Sequence, residues 1–180
     1  MKKALITTFI FTVVLLASAF LMFSIAEATT LPYKSVNLVF HGNSDNVIGL
    51  DRVNLDPRAT TIYSTQILIN VKEHYNPFVQ KVELQATVYG KTYGRSFNFK
   101  LTAHSNDFTC TFSQTYITAM TCQGTGKIVT SGYSFGNTFD VAITFETDGR
   151  YANLIAVHPK SGHVYMQLDD MPLFKSLHTV

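Results

Sequence analysis

The sequence has no tryptophan, only two cysteines and five prolines, and just 14% charged residues. Each shortage excludes something. Globular chains usually carry about 25% charged residues. Here the few charges nearly cancel, for a net charge of +2. A nucleic-acid binder needs a basic face against phosphate, and a disordered acidic tail needs a run of like charge. This chain supplies neither, so no nucleic-acid partner is expected. Without tryptophan it lacks the broadest ring for stacking on a sugar or anchoring an interface. Two cysteines are too few for an all-cysteine zinc site. No Asn-x-Ser/Thr acceptor for N-glycans occurs. Gly132-Tyr133-Ser134-Phe135-Gly136 spells G-x-S-x-G, a string that marks a hydrolase elbow only in a strand–turn–helix context; there is no H-E-x-x-H helix, phosphate loop or G-x-G-x-x-G turn. The expectation is a protein that is not an enzyme and uses no cofactor.

What is present begins with an export signal. Lys2 and Lys3 form a positive head, and Ala4 to Ala26 carries no charge. As a helix that run would extend about 35 Å, enough for a hydrocarbon core of about 30 Å. Ala26-Glu27-Ala28 fits the small-x-small pattern of signal cleavage, with Ala26 and Ala28 as the small residues; Ala17-Ser18-Ala19 is an earlier alternative. The lysines stay on the cytoplasmic side, so the rest is delivered outward. Residues 1–28 are therefore read as a signal peptide or a retained anchor. Residues 29–180 form one extracytoplasmic domain, secreted or held to the membrane through residues 4–26. Lys3-Ala4-Leu5-Ile6 before an apolar run resembles the processing motif of archaeal type IV pilins. That resemblance implies cutting after Ala4 and a retained helix for filament assembly.

Beyond residue 28 the apolar residues alternate with period two, the signature of half-buried strands. Val36, Leu38 and Phe40 share a face, as do Ile67, Ile69 and Val71, and Val82, Leu84, Ala86 and Val88. The turn expected after the last set is Tyr89-Gly90-Lys91. Phe139, Val141, Ile143 and Phe145 face inward, opposite Asp140, Ala142, Thr144 and Glu146. Asp148-Gly149 then predicts a type I′ turn pairing Thr147 with Arg150. A turn over His158 to Gly162 leads to a last strand, His163 to Leu168. Roughly nine strands at about 8–12-residue spacing predict an all-β, immunoglobulin-like antiparallel sandwich, with a closed barrel as second choice, preceded by the N-terminal hydrophobic helix. The run Gln66 to Gly94, broken at Asn76-Pro77, resembles secreted immunoglobulin-like adhesion modules and LEA-2-type domains.

Cys110 and Cys122 are the only cysteines. In an exported chain an even number favours a disulfide. Folding Phe108–Phe112 back about Tyr116 sets Cys110 opposite Cys122 and Phe112 opposite Met120, with both thiols facing the core. The loop so closed would contribute about 3 kcal/mol. His158 and His163 flank one turn and could share a metal ion, with Asp169 and Asp170 completing its shell; two histidines alone fall short of the three or four ligands a site needs. Asp45, Asp51 and Asp56 read as solvated turn acids rather than a calcium loop. Tyr63, Tyr75, Tyr89, Tyr93, Tyr116 and Tyr133 stand at strand ends or turns, where exposed rings serve interfaces.

The expected function is surface contact, as a structural or adhesion component of a cell surface, envelope or filament. Its partners would be another protein or a second copy, and the membrane would be met only through the N-terminal segment. Strand Thr30 to Phe40 could join a neighbour's open sheet edge. The alternative is a secreted barrel or sandwich that binds a lipid, sugar or metal.

Overall fold

The structure is a computed structural model and describes residues 35–73, 80–113, 118–132 and 137–179. The expected export helix and the cleavage residues Ala26 and Ala28 lie outside them. Ten strands run in chain order: β1 Ser35–Gly42, β2 Val47–Leu50, β3 Thr60–Glu73, β4 Gln80–Thr92, β5 Arg95–His104, β6 Phe108–Phe112, β7 Ala119–Gly132, β8 Asn137–Asp148, β9 Tyr151–Val157 and β10 Val164–Thr179. Eight of them, all but β2 and β6, pair antiparallel with their successors. The sheet then closes on itself, because β10 pairs back onto β1 from Ser35↔Thr179 to Phe40↔Leu173. The all-β expectation holds. The two-sheet sandwich is corrected to its second choice, a closed barrel.

The closing pairs explain the correction. The expected last strand stops at Leu168, whereas β10 continues to Thr179. Its first half pairs with β9 and its second half with β1. Between them Pro172 has no N–H to donate, and Asp170 sits at φ 51°. Such a register shift reads locally as the end of a strand. Since β1 is hydrogen-bonded on one flank to β3 and on the other to β10, its residues Ser35–Phe40 complete their own barrel. They are not left free to join a neighbour's edge.

Two barrel strands are interrupted. After β1, a single 3₁₀ turn, Ser44–Asn46, precedes β2, which lies on the same flank of β10. The Asn46 amide donates to the carbonyls of Asp169 at 3.0 Å and Asp170 at 2.9 Å, pinning the β10 bulge. Likewise β5 and β6 lie end to end along β7. At that junction Thr125 N–H donates to the Asp107 carbonyl at 2.7 Å. A Cβ on Gly124 would stand 1.9 Å from that oxygen, so only glycine permits the approach.

Two hairpin turns differ from expectation. Thr92 pairs with Arg95, so the chain reverses at Tyr93-Gly94 rather than at Tyr89-Gly90-Lys91. Both turn residues have positive φ, 46° and 78°, as a type I′ turn requires. Gly90 instead lies within β4, where a Cβ would meet the Thr61 carbonyl and the Phe97 ring. At the β8–β9 turn Thr147 pairs with Ala152, not Arg150. The central residues are therefore Gly149 and Arg150. Gly149 alone has positive φ, 90°, which fits type II′. Asp148 moves to the position before the turn, where its carboxylate accepts the Arg150 and Tyr151 N–H groups, both at 2.7 Å.

The barrel interior is filled. Phe40, Phe97, Phe99, Phe108 and Phe145 are fully buried among Val, Leu, Ile, Ala and Met. An eight-stranded barrel is just wide enough for side chains to fill. Burying each large apolar side chain contributes about 1.5–3 kcal/mol. Cys110 and Cys122 form the expected disulfide in the expected register, and both are buried. Tyr165 caps one end of the core against Phe139, ring centroids 4.8 Å apart. One outward row, Asn37, Asn70, Glu83 and His104 across β1, β3, β4 and β5, is polar. Among the described residues no helix is long and apolar enough to cross a membrane.

Candidate functional site

A trough of about 560 Å³ lies over the outer wall of β6 to β10. Strand pairing builds it. Thr111 stands beside Thr121, Thr121 beside Glu146, and Glu146 beside Asn153, in one cross-strand row. Asp170 extends that row, because its N–H donates to Asn153 Oδ1 at 2.8 Å. Ser113, Ala119, Asp148 and Tyr151 line the adjoining end. Tyr151 is 51% exposed. The Tyr151 and Arg150 backbone N–H groups hold the Asp148 carboxyl below the ordinary carboxylate range. A smaller depression, about 250 Å³, lies over the row of Asn37, Asn70, Glu83 and His104.

The histidines singled out from the sequence share a turn but do different work. His158 Nδ1 accepts the backbone N–H groups of Ser161 at 3.1 Å and Lys160 at 3.3 Å. An accepting Nδ1 carries no proton, so the hydrogen of the neutral ring is on Nε2. His163 instead turns its Nε2 to Asp51 Oδ1 at 2.6 Å. Asp51 is only 10% exposed, and the Arg52 Nε lies 3.5 Å from its other oxygen. Both imidazoles lie near the Tyr165 ring, His163 edge-on at 5.4 Å and His158 at 6.3 Å. Asp169 is about 20 Å further along the extended β10, too far to share an ion with His163. Its carboxylate accepts from Gln167 at 3.1 Å. Among the described residues no three His, Cys, Asp or Glu side chains gather around one point as metal ligands.

A carboxylate on one imidazole nitrogen is how hydrolases orient a base. Here the hydroxyl recorded beside His163 is Ser161 Oγ, which accepts from the His163 backbone N–H at 3.4 Å. The pair therefore ties the loop after β2 to the start of β10. Of the other turn acids, Asp56 accepts the Arg58 N–H at 2.9 Å and Asp45 accepts the Ser44 hydroxyl at 3.5 Å. Tyr63, Tyr89 and Tyr93 are exposed, and the rings of Tyr63 and Tyr89 stand 5.4 Å apart. Tyr75, Tyr116 and Tyr133 lie outside the described residues. Sequence reasoning missed the trough. One part of it carried a signal, since the outward alternation through Thr144 and Glu146 leads directly to Asp148. Asp170 carried none, because its position depends on the β10 bulge. The chain matches no protein-family model, no curated protein and no solved structure.

Proposed function

We propose that this protein is a non-enzymatic, exported β-barrel that works by contact through its outer wall, as a cell-surface, envelope or filament component. The observation that carries the reading is the packed core, in which Phe40, Phe97, Phe99, Phe108 and Phe145 are each no more than 1% exposed. Exposed Tyr63, Tyr89, Tyr93 and Tyr151 supply rings suited to contact. The Cys110–Cys122 bridge suits an oxidising compartment. The ligand-binding alternative is favoured by one feature, the trough over β6 to β10.

N-terminal sequencing of the protein from its native source tests the export reading. A start at Thr29 gives a secreted domain, Leu5 a pilin-like subunit and Met1 an anchored one. Recovery of the uncleaved chain from the cytosol, with two titratable thiols, would end the reading.

A further inference from the structure

The geometry points to a saccharide-binding site in the trough formed by Tyr151, Asn153, Glu146, Asp170, Thr111 and Thr121, an inference that rests on the ligand-binding alternative. The volume of about 560 Å³ lies within the roughly 300–1,000 Å³ of small-molecule sites. Its lining matches a polyol. Sugar hydroxyls both donate and accept. The Glu146 and Asp170 carboxylates accept, the Thr121 hydroxyl does either, the Thr111 hydroxyl accepts because its hydrogen goes to the Thr121 carbonyl at 3.2 Å, and the Asn153 amide donates. Asn153 Oδ1 is already engaged by the Asp170 N–H, so its Nδ2 hydrogens remain the groups it offers. The half-exposed Tyr151 ring supplies an apolar face for the C–H side of a pyranose.

A cationic side chain fits the lining less well. It would use the carboxylates alone and leave the amide and hydroxyl donors unmatched. One oxygen of Asp148, Oδ1, moreover accepts both turn N–H groups. The backbone carries a further mark. Asp170 is a non-glycine residue at φ 51°, and its peptide is held in place by Asn46 from one side and Asn153 from the other. Left-handed residues of this kind persist where surrounding contacts fix them, and they cluster at binding sites. Here the residue in that conformation is one of those lining the trough.

The test is calorimetric titration of the full-length chain, in detergent if it retains its N-terminal segment. The probes are neutral tetrasaccharides of glucose (α- and β-linked), of mannose, of galactose and of N-acetylglucosamine, with decalysine as the cationic comparison. We expect at least one tetrasaccharide to bind. Tyr151→Ala and Asn153→Ala should each weaken it at least tenfold while the circular dichroism melt stays within a few degrees of the parent. A third variant, Tyr151→Phe, keeps the ring and should retain affinity within about threefold. Binding of decalysine alone, binding of nothing, or saccharide binding indifferent to both alanine variants would overturn the site. Chromatography of the titrated saccharide separates the two claims. Intact sugar supports both, whereas cleaved sugar keeps the site and removes the non-enzymatic reading.

Discussion

The barrel has two seams that hold in different ways. Where β6 meets β7, the partners are near neighbours in sequence, and the Cys110–Cys122 bridge spans a separation of only 12 residues. Where β10 meets β1, the partners are the first and last described strands, and backbone pairs and side-chain packing join them. The first seam is local and covalent; the second is non-local and rests on cooperative burial. Closing a long loop before its contacts form costs entropy that a hairpin does not spend. The stapled hairpin can therefore form early, while the closing seam exists only when the whole barrel does.

The largest effect should come from removing the closing seam. A chain ending at Pro172 loses every β1–β10 pair and opens both edges. It should show no cooperative transition by circular dichroism, and a sharp melt would show that closure is dispensable. Next is Phe145→Ala. Phe145 sits opposite Cys122 and meets Phe40 of the closing strand edge-on at 6.1 Å, so it packs against both seams. The loss should be about 3–5 kcal/mol in urea unfolding. A double-mutant cycle with Phe40→Ala should give a coupling above about 0.5 kcal/mol; strict additivity would mean that the seams do not communicate.

The disulfide ranks third. Replacing Cys110 and Cys122 together by alanine should cost about 3 kcal/mol and leave the strand signal intact. If that change abolished folding while the truncated chain still melted cooperatively, the order of the two seams would be reversed. The smallest effect concerns the turn beside the stapled seam. Asp148 is held below its unfolded pKa of about 3.9 by the Tyr151 and Arg150 N–H groups. Its contribution is present above that unfolded value and fades as pH falls through the folded one. Asp148→Asn should therefore flatten the stability profile below about pH 4 and leave its slope near pH 7 unchanged.

The two seams also differ in how far they could be read. The β6–β7 register follows from Phe108, Cys110 and Phe112 alternating with threonine, and the pairing Cys110↔Cys122 stands as the spacing implied. The hairpin at Asp148 was legible in its faces but not its register. The Asp148 side chain captures the turn N–H groups and moves the reversal one residue on. The Tyr93-Gly94 turn was missed because Gly90 offered a nearer glycine. That residue is small for packing against Phe97, not for turning. Of the histidine site, the shared turn was legible. The partner of His163 was not, since Asp51 arrives from the loop after β2.

What the sequence by itself determined is the material of the fold: strands, their inward faces and the one covalent staple. Period-two burial and a cysteine pair within a hairpin are local facts. Tertiary structure decided that the sheet closes rather than splitting into layers, and that the outer wall of β6 to β10 hollows into a trough. Both depend on the bulge around Asp170, where an asparagine from a distant turn and another from the adjacent strand hold a left-handed backbone in place. That conformation is unfavourable for an isolated residue and becomes stable only once its partners have assembled.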